Sequence, residues 1–202
     1  MLEFVHEVWE ESPYPTFLCP ADILAAIMRI NHLRSQLLDR PLSEADASPE
    51  GLLASLKAFS PEGWAATKTS SHEEWLLIAR AHHSAAILYC MATLEEHFPR
   101  SSLQDLEILR VVHASTLFAA LRQAEAMRGV RMGSLWPLIV AGVEAARENS
   151  ATRSFVRRRF TGLADDLATP LMLEAKRVFE EFWASGKVGW GECFDKPYAF
   201  VL

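Results

Sequence analysis

Between Pro20 and Pro41 the apolar residues Ile23, Leu24, Ile27, Ile30, Leu33, Leu37 and Leu38 recur every three or four positions. That spacing puts them on one stripe of an α-helix, and the second proline stops it. The same period returns along the chain, and convincing strand-like alternation is absent. The apolar surface therefore has to be buried helix against helix. The fold class expected is all-α: a single compact multi-helix domain over residues 1–202 with an aromatic C-terminal tail. At 202 residues such a domain can bury a core without disulfides or metals.

Helix starts are marked by side chains able to satisfy the free amides of a first turn. Ser48-Pro49-Glu50-Gly51 and Ser60-Pro61-Glu62-Gly63 each read as a serine cap with proline at the first helical position. Ser71-His72-Glu73-Glu74 reads as a capping box opening a long helix that ends near Phe98-Pro99. Ser102 opens another, ending near Gly129, and a helix runs from about Trp136-Pro137 to Asn149. Ser150 starts a basic helix, and Thr169-Pro170 caps the last long one, which stops before Gly186. The tail from Trp190 is expected to pack back across the helices, and Ser43–Ser48 is the best candidate for a mobile loop.

Several function classes lose support. With 20 basic and 26 acidic residues the net charge is −6, so the chain is expected not to bind nucleic acid directly. The longest stretch without formal charge, Ala81 to Leu94, is too short for a spanning helix, and the start Met1-Leu2-Glu3-Phe4-Val5 lacks the basic leader of a signal peptide. Cys19, Cys90 and Cys193 are widely spaced and odd in number, which points to reduced thiols in an intracellular compartment. No HExxH, carboxylate cluster, GxSxG or phosphate-loop pattern occurs, so no metal and no cofactor are expected. The run Arg157-Arg158-Arg159 reads as a solvated helix face that pairs with acids.

Trp75, His82 and Tyr89 are spaced by seven, within about 40° of one line at 100° per residue, with Ala79 and Ala86 on the same stripe. Large aromatics separated by alanines leave room beside a helix. A neighbouring helix can fill it, or it can form a slot for an apolar ligand, with His82 and Tyr89 as hydrogen-bonding handles. The next helix places His113 on a stripe with Leu106, Leu117, Ala120 and Ala124. It is either a core histidine or, if it faces His82, a partner in chemistry. A ligand site would then comprise Trp75, His82, Ala86, Tyr89, His113 and Trp136.

Leu135-Trp136-Pro137-Leu138-Ile139-Val140-Ala141-Gly142-Val143-Glu144-Ala145 is the most distinctive stretch. Its proline fixes the helix entry, its apolar run buries it, and Gly142 permits a close helix approach. It resembles the LWP-apolar-AG-x-EA motif in regulatory domains of fungal binuclear zinc-cluster transcription factors. In the same order, Ile30-Asn31-His32-Leu33-Arg34 is similar to an early helix of that family, and Ala79 to Tyr89 to its central helix. Arg153 matches the arginine after the LWP helix, and Phe182-Trp183, Trp190 and Phe194 match the tryptophan-rich ending.

The resemblance implies an all-α domain corresponding to the C-terminal half of such a regulatory region, which in some members receives small hydrophobic ligands. It brings no catalytic residues. The six-cysteine DNA-binding cluster and roughly the first half of a typical regulatory region are missing. The chain is then either a fragment or a short protein that kept the helical pocket and lost DNA binding, and Met1 followed directly by foldable sequence favours the latter.

Two functions follow. One is a regulatory domain that binds a small hydrophobic molecule, in the nucleus if part of a transcription factor. The alternative is a cytoplasmic, cofactor-independent enzyme of secondary metabolism. It would fold an apolar terpenoid or polyketide for intramolecular cyclisation (a cycloaddition of Diels-Alder type), with His82 and His113 as catalytic groups.

Overall fold

A computed structural model describes residues 18–39, 48–69, 71–99, 103–194 and 198, and every regular element among them is helical. In chain order the helices are α1 (Ala21–Asp39), α2 (Pro49–Ala58), α3 (Pro61–Ala66), α4 (His72–Leu94) and α5 (Leu103–Gln123). There follow α6 (Arg128–Gly133), α7 (Leu135–Glu144), α8 (Ser150–Leu167), α9 (Leu171–Ala184) and α10 (Trp190–Cys193). Short 3₁₀ turns extend α4, α5 and α7.

The start signals act largely as expected. Ser48 Oγ accepts from Gly51 N and Ser60 Oγ from Gly63 N, both at 3.0 Å, with proline at the first position of each helix. Two starts differ, and one helix ends early. Ser71 sits in left-handed backbone at φ 53°, and its side chain makes no cap bond. The cap of α8 is Asn149, whose Oδ1 accepts from Thr152 N at 3.0 Å. The helix from Leu103 ends at Gln123, well short of Gly129, because a 3₁₀ turn at Ala124–Ala126 breaks it before α6. Ser102 and most of Ser43–Ser48 lie outside the described residues.

α4 is the hub. It packs against α1, α2, α3, α5, α6, α7 and α10, and from Leu77 to Met91 only Arg80 and His83 are not buried. A helix apolar all round can only be stable when covered all round. The α8–α9 pair docks onto α7, where Gly142 lies against the ring of Phe179 and its carbonyl accepts from Trp183 Nε1 at 2.9 Å. Arg153 donates to the terminal carbonyls of the α7 segment, Ala145 at 3.0 Å and Ala146 at 2.7 Å. That satisfies acceptors a helix end leaves open. The tail packs back as expected: Trp190 lies 4.6 Å from Tyr89, and Phe194 lies 4.8 Å from Trp190 and 5.8 Å from Phe179.

The arginine run is only partly a solvated face. Arg157 pairs with Glu180 at 2.6 Å and Arg158 is exposed, but Arg159 is 3% exposed, with Nε and Nη2 lacking hydrogen-bond partners. Three adjacent helical residues span about 200°, so one of them falls on the core side.

Candidate functional site

Tyr89 is where four parts of the chain meet. Its ring is 1% exposed, with Trp136 of α7 edge-on at 5.7 Å and Trp190 of α10 edge-on at 4.6 Å. Its hydroxyl accepts from Arg34 Nη1 at 3.0 Å and donates to Asn31 Oδ1, both on α1. Asn31 and Arg34 are three residues apart and therefore share a face of that helix. A buried tyrosine needs such partners, because an unpaired hydroxyl in an apolar core is costly.

Beside this centre lies an open groove of about 820 Å³, lined by Arg34 and Leu37 of α1, Ala92 and Thr93 of α4, Glu95 to His97 just past it, and Gly189 to Glu192 around α10. Leu37, Ala92 and Trp190 give it apolar wall. Arg34, Thr93 and His97 offer polar handles, and Glu95, Glu96 and Glu192 bring negative charge. Glu192 is committed to its own turn, accepting from the amides of Gly189 and Val188. Glu95 lies 3.7 Å from Arg110.

The residues singled out from the sequence separate into three places. His82 and Tyr89 meet at Trp136, with the His82 ring nearly parallel to the indole at 6.5 Å. His82 is 4% exposed and its Nδ1–H donates to Ile78 O at 2.9 Å. Burial pushes its pKa down to about 4, against the smaller opposing effect of that bond, so the ring is neutral near pH 7. Ala86 is fully buried on the same stripe.

His113 is elsewhere. Its Nδ1 shares a 3.2 Å hydrogen bond with Ser84 Oγ, and its ring meets His83, not His82, edge-on at 5.6 Å. Burial, then the charges of His83 and Lys57, push its pKa to about 4. His83 Nε2–H donates to Leu56 O at 2.9 Å. Trp75 is in a third place, edge-on to Trp64 at 5.7 Å, with Lys68 Nζ 4.3 Å above the Trp64 ring. Neither His82 nor His113 lines the groove.

Glu144, in the LWP segment, is also buried. Loss of solvation raises its pKa to about 6, against the opposing charges of Arg110 and Arg147. Sequence reasoning gave no site role to Asn31, Arg34 or Trp190. The available signal was the polar pair three residues apart inside the apolar stripe of α1.

The profile described as fungal specific transcription factor domain matches residues 10–196, nearly the whole chain. The chain belongs to the fungal specific transcription factor domain family. The structure gives physical roles to the LWP segment of this transcription factor domain. Trp136 supports His82 and Tyr89, Gly142 admits Phe179, and Arg153 ties down the segment's end. Among similar proteins is a phomenoic acid biosynthesis cluster-specific transcriptional regulator of Leptosphaeria maculans. It is 35% identical over 206 residues, covering 99% of this chain and 39% of that regulator. The domain therefore spans about two fifths of that relative's length. No solved structure matches it. Among the described residues no helix is long and apolar enough to cross a membrane.

Proposed function

We propose that this domain is the ligand-responsive part of a nuclear transcriptional regulator of a biosynthetic gene cluster, binding a small hydrophobic metabolite and not itself reading DNA. One observation carries the reading. Arg34 and Trp190 line the groove, and both touch Tyr89. An occupant that moves either side chain alters the contact that joins α1, α4, α7 and α10. A ligand changes a protein's state only through differential contacts of this kind. The groove's volume falls in the range of small-molecule sites, and its lining suits an apolar body with one polar end. Trp136 packs edge-on to Tyr89 and is itself stacked on His82. The relative's link to a biosynthesis cluster and the acidic charge support the same reading.

The test is calorimetric titration of the purified chain with metabolites produced by the gene cluster it is encoded with. Saturable binding that quenches tryptophan fluorescence and is lost in Trp190→Ala is the expected result. Binding that survives Trp190→Ala and Arg34→Ala places the ligand elsewhere. Retarded migration of a specific duplex that survives competitor DNA contradicts the second half of the proposal.

A further inference from the structure

α5 carries its three most exposed large apolar residues on the face turned away from the core. Ile108 is 60% exposed, Val111 61% and Val112 52%. At 100° per residue all three fall within about 60° of one line, together with Ser115 and Ala119 further along. The first three form a ridge. The last two are small, and beside them lies a hollow of about 220 Å³, lined also by Thr116, Gln123 and, from α4, Leu77 and Arg80. Ridge and hollow are centred about 12 Å apart along the helix.

We infer that this face pairs with the same face of a second copy, the two α5 helices running antiparallel about a twofold axis opposite Ser115. That operation places the ridge of each copy in the hollow of the other, the self-complementarity an isologous interface requires. The charges select the same arrangement. Exposed Asp105 lies at the ridge end of the helix, while Arg80 lines the hollow, so antiparallel pairing brings acid to base across the axis; parallel pairing would set like charges together. Glu62, 2.8 Å away, holds the Arg80 side chain in place at the hollow. Small residues at the axis permit the close approach of two helices.

Sedimentation velocity of the chain over a concentration series tests the pairing. A concentration-dependent dimer is expected. Ile108→Asp, which unpacks the ridge, and Ala119→Trp, which fills the hollow, should each weaken it by about tenfold or more. Leu173→Asp, on exposed α9 surface, should leave it unchanged. Circular dichroism confirms that each variant folds. Ser115→Cys should join to its own counterpart through a short bis-maleimide, giving a covalent dimer that the parent chain does not form. A monomer at every concentration overturns the proposal, as does a dimer indifferent to Ile108→Asp and Ala119→Trp. If position 115, in a longer form of the protein, cross-links to another segment of its own chain, that segment is the occupant and the second copy is not.

Discussion

Arg34 on α1 donates a 3.0 Å hydrogen bond to the hydroxyl of Tyr89 on α4, across 55 positions of sequence. That hydroxyl donates in turn to Asn31, one turn back on α1. The bond is the polar seam between the first helix and the hub, and Trp190 of the tail closes over the same ring.

Replacing Tyr89 by Phe keeps the ring and removes the hydroxyl, leaving Arg34 and Asn31 without their shared partner. A loss of about 1–2 kcal/mol is expected in urea unfolding. Tyr89→Ala opens a cavity between Trp136 and Trp190 and should cost about 3–5 kcal/mol, the range for deleting a large buried aromatic. Equal costs for the two variants would mean that the ring contributes nothing beyond its hydroxyl.

Stability should fall on acidification from pH 7 to 5. In the folded chain His82 and His113 stay neutral down to about 4, whereas the unfolded chain takes up those protons near 6.5. Their contribution is therefore full above about 6.5 and is lost as pH falls toward 4. Glu144 acts oppositely. Its carboxyl, raised from 4.5 to about 6, contributes below 4.5 and loses that contribution as pH rises through 6. Two imidazoles outweigh one carboxyl, and fully enclosed His82 dominates. Melting followed by calorimetry should give a Tm that drops over this range, with a shallower slope in His82→Gln. A Tm that rises toward pH 5 would refute the assignment.

Gly142→Ala should destabilise the α7–α9 contact. The added Cβ would sit 2.5 to 2.8 Å from three atoms of the Phe179 ring. That ring cannot retreat, being packed between Phe160 at 5.3 Å and Trp183 at 6.0 Å. Overpacking of this kind costs about 1–3 kcal/mol. Phe179→Leu in the same chain should recover part of the loss in thermal unfolding; full tolerance of Gly142→Ala alone would show that the helices separate freely.

Local signals were legible wherever a side chain acts on its own neighbours. Ser48 and Ser60 cap α2 and α3 because the serine, the proline and the free amide all lie within one turn. The stripe that includes Ala79, His82, Ala86 and Tyr89 is buried as its period requires. Ser71 shows the limit. Its capping sequence is sound, but its left-handed backbone turns the side chain away from the amides.

The sequence by itself determined that the chain is a stack of helices, where most of them begin, which faces they bury, and that Gly142 stands where helices come close. Tertiary structure alone decided who meets whom: His113 with His83, Trp75 with Trp64, Arg34 with Tyr89, and Arg159 turned into the core. The physical reason is that a 3.6-residue period specifies the direction of a side chain around its own axis and nothing about the neighbour in that direction. Crossing angle and register come from the summed packing of all the helices, and a one-turn slip between α4 and α5 would leave both sequence patterns unchanged while giving His113 a different partner.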